Sequence, residues 1–175
     1  PTGGGKTMCM IDDAMNEFSR TVSSQTIVVV APRILLANQL SAEFLYHNLD
    51  GAAESNDTVN VMHVHSGETH HFSTTKVDEI RQFNYDTACD QKHLLIFTTY
   101  HSLHKIQESN IVVDTIYFDE AHNSVQKNFF PATEHFSHFA ERCYYFTATP
   151  KHSRTPSKAG MNWPEYGQVI CQVPA

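Results

Sequence analysis

The sequence predicts an α/β domain, a parallel β-sheet sandwiched by helices, and three observations carry that prediction. Short β-branched runs alternate with amphipathic stretches along the 175 residues, and several of the runs are apolar on both faces, as interior parallel strands must be. A Gly-rich turn, Pro1-Thr2-Gly3-Gly4-Gly5-Lys6-Thr7, opens the first helical stretch. A later apolar run ends in two adjacent carboxylates, Asp119 and Glu120, which a parallel sheet would deliver to its carboxyl edge, where open α/β folds bind ligands.

The elements follow in order. Directly after the turn, Ile11, Ala14, Met15 and Phe18 recur at i, i+3, i+4 and i+7, one buried helical face, with Asp12, Asp13, Asn16 and Glu17 expected to turn away from it. Residues 26–31, Thr-Ile-Val-Val-Val-Ala, are too few for a helix and predict an interior strand that Pro32 ends. Leu36, Leu40 and Phe44 recur every four residues and predict a helix over 34–49, before a polar loop over 50–58. Residues 59–65 predict a strand, 75–84 a short helix with Val77 and Ile80 inward, 93–98 a buried strand and 102–109 a short helix. The run 112–118 predicts a strand leading into Asp119-Glu120-Ala121-His122. A helical stretch over 124–140 and a strand over 143–146 follow, the strand ending in Thr147-Ala148-Thr149-Pro150. Residues 151–166 are rich in Pro, Gly, Ser and Lys and predict a loop, and 168–173 a last strand.

Composition bounds the function. A hydrophobic content of 41% over this length suits one globular domain spanning residues 1–175. The formal charge of −7 supplies no global basic field, so any contact with a polyanion must be local. Cys9, Cys89, Cys143 and Cys171 are scattered without a C-x-x-C pair, which fits a reduced intracellular protein. Apolar runs fall short of the ~20 residues of a membrane span, so no membrane partner is expected and a cytoplasmic location is.

The Gly-rich turn is a phosphate cradle by its chemistry. Backbone N–H groups and the helix N-terminus face phosphate oxygens, Lys6 would reach the β- and γ-phosphates, and the Thr7 hydroxyl would ligate Mg²⁺. A plain cap or bend is the alternative. Asp119 would hold Mg²⁺ directly or through water, and Glu120 would orient and deprotonate an attacking water; the bland alternative is a solvated acidic turn. Two histidine groups, His63 and His65 with His70 and His71, and His135 with His138, fit surface or half-buried roles better than zinc, because no Cys joins them. Phe129, Phe130, Phe136 and Phe139 fit a core face better than a base-stacking platform.

In order, Pro1 to Thr7, Ala31-Pro32-Arg33, Thr98-Thr99-Tyr100-His101-Ser102-Leu103, Asp119-Glu120-Ala121-His122 and Thr147-Ala148-Thr149-Pro150 resemble motifs of the first motor lobe of superfamily-two helicases. Within that superfamily the sequence is similar to the DEAH-containing phage and type III restriction-enzyme group, over essentially the whole chain. The resemblance implies a P-loop NTPase domain of RecA-like type, here without the first strand that would precede Pro1. It also implies a second RecA-like lobe in cis that supplies arginines to the γ-phosphate.

Residue by residue, the resemblance implies ATP and Mg²⁺ as cofactors. Thr2, Gly3, Gly4, Gly5, Lys6 and Thr7 would surround the phosphates, Thr7 and Asp119 would hold the metal, and Lys6, Asp119 and Glu120 would carry hydrolysis. His122, Thr147 and Thr149 match residues that couple hydrolysis to nucleic-acid movement. Arg33, Thr99 and Ser102 fall in motifs that grip the phosphate backbone of DNA without reading sequence. A solvated helix-start residue is the alternative for Arg33, and a helix N-cap for Ser102. The function implied is the ATP-binding and hydrolysing lobe of an ATP-dependent DNA helicase or translocase. Parted from the second lobe it is expected to turn over slowly, since a transition-state arginine is worth ~10³ to 10⁵ in rate. A nucleotide- or DNA-binding module without turnover, or a duplex translocase of a restriction complex, uses the same residues.

Overall fold

The computed structural model describes residues 4–49 and 58–172. Its elements are α1 (Gly4–Arg20), β1 (Thr26–Ala31), α2 (Ile34–Leu49), β2 (Val59–Val64), β3 (Phe72–Ser73), α3 (Val77–Cys89), β4 (His93–Thr99), α4 (Leu103–Ser109), β5 (Thr115–Phe118), α5 (Phe130–Phe139) and β6 (Arg142–Tyr145). Short 3-10 turns cover Ala121–Asn123 and Pro164–Tyr166. Of the sequence expectations, Pro1, Thr2 and Gly3 of the Gly-rich turn, the loop over 50–57 and Val173 lie outside the described residues.

The strands form one six-stranded sheet in the order β3-β2-β4-β1-β5-β6, parallel throughout. Such a sheet needs helical crossovers and covers both faces, which is why the inner strands read as unbroken apolar runs. In β1 all six residues are buried. Side chains alternate across the pleat. Ile27, Val29 and Ala31 meet Met10, Ile11, Ala14 and Phe18 of α1 and Leu40 and Phe44 of α2, while Val28 and Val30 meet Ile80, Leu103, Ile106 and Phe136 of α3, α4 and α5. The sandwich and the RecA-like arrangement expected from the sequence are therefore present.

The departures have physical causes. The helix expected over 75–84 runs on to Cys89, where Asp90 N donates to Asp86 O. The strand expected from 112 begins at Thr115; just before it the Asp114 carboxylate accepts the Thr26 N–H at 2.7 Å while its backbone N–H donates to Thr26 O at 2.9 Å. Residues 124–129 form turns, and α5 starts only at Phe130, with Pro131 in its first turn, where proline suits a helix. Of the four phenylalanines expected in the core, Phe136 is buried and Phe129 packs against it, but Phe139 is 73% exposed beside His135. The last expected strand is absent over 168–172: Val169 and Ile170 are 82% and 80% exposed, and an apolar pair without a neighbouring strand has no ladder to join.

The largest correction is on α1. Asp13 and Glu17 do not turn freely to water: Glu17 is buried, Asp13 is half-buried, and both meet Arg142 of β6. Arg142 Nη2 donates to the Asp13 oxygens at 2.8 and 3.0 Å, its other terminal nitrogen pairs with Glu17, and the Tyr117 hydroxyl donates to Asp13. Periodicity assigns carboxylates to solvent because it sees only the helix, and the arginine that reverses the assignment is remote in sequence.

Candidate nucleotide and nucleic-acid site at the carboxyl edge

Because every strand is parallel, each delivers its last residue to the same edge. At that edge Ala31 lies opposite Thr99, and Phe118 opposite Tyr145. The chain then leaves β1 into Pro32-Arg33, β4 into Tyr100-His101-Ser102, β5 into Asp119-Glu120, and β6 into Phe146-Thr147. The backbone ladder continues past the strands, with Phe146 N donating to Phe118 O at 2.9 Å and Ala121 N to Phe146 O at 2.9 Å. That fixes the acidic turn against the Thr147 to Thr149 segment.

Lys6 stands in the first turn of α1, and its Nζ donates to Glu120 Oε1 at 3.0 Å. The two side chains are 24% and 35% exposed, so the pair sits in a half-open crevice between α1 and the end of β5. Thr7 follows, half-buried, and a Cβ built on Gly5 would meet nothing within 4 Å, so the helix start has open space in front of it. Glu120 adopts φ 48° and ψ 53°, a left-handed conformation that costs a non-glycine residue ~1–2 kcal/mol. Its carbonyl is held by Asn123 N at 3.0 Å and Asn123 Nδ2 at 2.8 Å. The turn sends the backbone into the Ala121–Asn123 3-10 turn while the Glu120 carboxylate meets Lys6.

Asp119 is pinned from both sides. Its N–H donates to Val30 O at 2.8 Å, and its carbonyl accepts from the Tyr100 hydroxyl at 2.7 Å. Burial, and then the neighbouring Glu120 charge, raise the Asp119 carboxyl above the ordinary range, with Lys6 opposing. A carboxylate disfavoured as an anion is one that a neighbouring cation would relieve, so the Asp119 carboxylate would suit a divalent ion. Tyr100 was not singled out from the sequence as a site residue; its signal was its place inside the Thr98 to Leu103 motif, read then for its hydroxyl neighbours.

His122 Nδ1 lies 2.9 Å from Thr147 Oγ1, 3.3 Å from Thr149 Oγ1 and 3.7 Å from Glu120 Oε2, and Thr149 N donates to Thr147 Oγ1 at 3.1 Å. Lys6, Glu120, His122, Thr147 and Thr149 thus form one continuous set of contacts. Further along the edge Arg33 is exposed, and its carbonyl accepts Ala37 N as α2 begins. Thr99 is 3% exposed, so its side chain is packed inside. Ser102 is half-buried at the N-cap position of α4 but makes no side-chain capping bond, unlike the cap expected from its sequence position. Among the described residues no group of three or more His, Cys, Asp or Glu side chains is arranged to hold a metal ion by itself.

This fold, with a helix N-terminus, an acidic turn and a Ser/Thr segment gathered at one edge, is that of a RecA-like P-loop NTPase domain. The family described as type III restriction enzyme, res subunit, matches residues 1–152, and the chain belongs to it. Three solved structures share the fold. A nuclease-deletion mutant of the Type ISP restriction-modification enzyme LlaGI, in complex with a DNA substrate mimic, matches with a TM-score of 0.69 and 24% identity, covering 86% of this chain and 13% of that one. The ATP-dependent Type ISP restriction-modification enzyme LlaBIII, bound to DNA, matches with a TM-score of 0.61 and 21% identity over 86% of this chain and 11% of that one. The yeast DEAD-box splicing factor Prp28 matches with a TM-score of 0.58 and 18% identity over 89% of this chain and 36% of that one. The chain therefore spans about an eighth of the LlaGI chain. No curated protein matches the sequence.

Proposed function

We propose that residues 1–175 are the ATP-binding and hydrolysing lobe of a DNA translocase or helicase of the DEAH type, working with a second RecA-like lobe in cis. The observation that supports this most is the 3.0 Å contact of Lys6 with Glu120 across the crevice between α1 and β5. It supports a site in which the lysine of the Gly-rich turn and a carboxylate suited to a general base act together.

Lys6 exchanges Glu120 for the β- and γ-phosphates of ATP, while Thr2 to Gly5 surround them with backbone N–H groups. Thr7 and Asp119 hold Mg²⁺, which when bound supplies charge neutralisation at the phosphates. Released from Lys6, Glu120 accepts a proton from the attacking water, and its left-handed backbone keeps the carboxylate at the crevice. His122, with Thr147 and Thr149, transmits the state of that crevice to the far side of the edge. Arg33, Ser102 and the backbone at Thr99 contact DNA phosphates, and the two restriction enzymes solved with DNA support DNA as the partner. With a net charge of −7, that contact must be local.

The test is ATP hydrolysis by the full-length protein with and without single- and double-stranded DNA, in parallel with Glu120→Gln. DNA-stimulated turnover that Glu120→Gln removes while ATP still binds is the expected result. Turnover that survives the substitution takes the base role from Glu120. ATP binding without turnover under any DNA favours a binding module instead.

A further inference from the structure

Two histidines that the reaction does not use are buried beside α2. His63 is 0% and His65 2% exposed. Their contacts form a directed line. Gly67 N–H donates to His65 Nδ1 at 3.1 Å, so His65 must carry its proton on Nε2. His65 Nε2 then donates to His63 Nδ1 at 3.0 Å, and His63 Nε2 donates to Ser41 Oγ of α2 at 3.1 Å. The polarity of every bond in the line is set by one backbone N–H.

Both ends of the line rest on α2. At the far end Ser41 is 3% exposed in the middle of the helix. At the near end Gly67 lies against the first turn: a Cβ on Gly67 would come within 2.5 Å of Ile34 Cγ2, so the loop backbone is seated directly on that side chain. Between them Asn38 Nδ2 donates to Glu68 O at 3.4 Å. Ile34, Asn38 and Ser41 are spaced i, i+4 and i+7, one stripe of α2, and the stripe faces β2 and the loop after it. Ser73 Oγ closes the loop by donating to His65 O at 3.2 Å and Gly67 O at 3.3 Å. Phe97 stacks under His63 with ring centres 5.3 Å apart.

Arg33 is the residue immediately before that stripe, and its own carbonyl takes the first bond of the helix. We propose that His65, His63 and Ser41 are positioning residues that clamp the N-terminal half of α2, from Ile34 to Ser41, against β2 and the loop after it and so hold Arg33 in register with the DNA backbone. The inference rests on the reading of Arg33 as a phosphate contact. A leucine pair would fill the same volume, but it would not tie a particular loop amide to a particular helix hydroxyl, and direction is what a grip on a regularly spaced phosphate backbone needs.

The experiment is a double-mutant cycle in the full-length protein, with affinity for a fluorescein-labelled mixed-sequence oligonucleotide read by anisotropy and ATP affinity measured alongside. Ser41→Ala improves helix propensity and leaves the His63 Nε2 proton without its acceptor. It is expected to weaken oligonucleotide binding roughly three- to tenfold with ATP affinity unchanged. In an Arg33→Ala background the same substitution should have no further effect, because the clamp acts through Arg33. If Arg33→Ala weakens binding but Ser41→Ala is silent, or its loss adds in full to that of Arg33→Ala, the clamp is wrong and the Arg33 reading stands. If Arg33→Ala alone leaves oligonucleotide affinity unchanged, the Arg33 reading fails and takes the clamp with it.

Discussion

At the scale of single residues, the site carries more tension than a stable fold requires. Asp119 is held where burial and Glu120 disfavour its charge, so Asp119→Asn should raise the melting midpoint of the nucleotide-free protein by a few degrees while abolishing hydrolysis. A lower midpoint would mean that the carboxylate is a structural partner. Lys6→Ala should remove measurable ATP binding by calorimetry, and it also strips Glu120 of its cationic partner. Unchanged ATP affinity would end the phosphate-cradle reading. For Arg33→Ala, oligonucleotide affinity should fall alike for all sequences, with the slope of log affinity against log salt reduced by about one contact. These residues were legible because each belongs to a short motif whose chemistry is local. Tyr100 was not, because its role is to hold the Asp119 carbonyl from the turn after β4, with β1 between the two strands, and proximity across a sheet is invisible to spacing along the chain.

Among the elements, β1 and α2 take the bounds that β-branched content and four-residue periodicity predict, since in both the pattern coincides with burial. Elements fail to match where a tertiary partner decides. The two-residue β3 exists only by pairing with β2, the run at 168–172 has no strand beside it, and Asp13 and Glu17 of α1 are drawn inward by Arg142. That last cluster joins the helix carrying Lys6 to β5 and β6. Removing Arg142 leaves the buried Glu17 with only the exposed Arg20 and the half-buried Asp13 with only the Tyr117 hydroxyl. Arg142→Ala should therefore destabilise the domain by about 2–4 kcal/mol, read from the denaturation midpoint at constant m-value. A loss below about 0.5 kcal/mol would show that the network is solvated in practice.

For the whole molecule, the histidines set the response to acid. Burial, and then the adjacent His65 and His71 rings, hold His63 down to about 3, and burial also lowers His65, His71 and His93. The unfolded chain takes up these protons below the ordinary histidine value of 6.5, while the folded chain resists, so stability falls as pH drops below that value. Asp114 and Asp119, both raised, act in the opposite sense: they bind protons in the fold first and give some stability back in the carboxylate range. Between pH ~6.5 and ~5 the histidines dominate, and the denaturant midpoint should decline over that window. A flat midpoint there would show that the buried rings accept protons without loss of structure. None of the described helices is long and apolar enough to cross a membrane.

The place of β1 between β4 and β5 has a consequence for how the chain is made. Thr26 to Ala31 are translated before either of their neighbours, His93 to Thr99 on one side and Thr115 to Phe118 on the other. At ribosomal rates of roughly 5–20 residues per second, the Ile-Val-Val-Val run waits several seconds with both of its edges bare. Nascent chains of this domain should therefore engage a ribosome-associated holdase until β5 emerges.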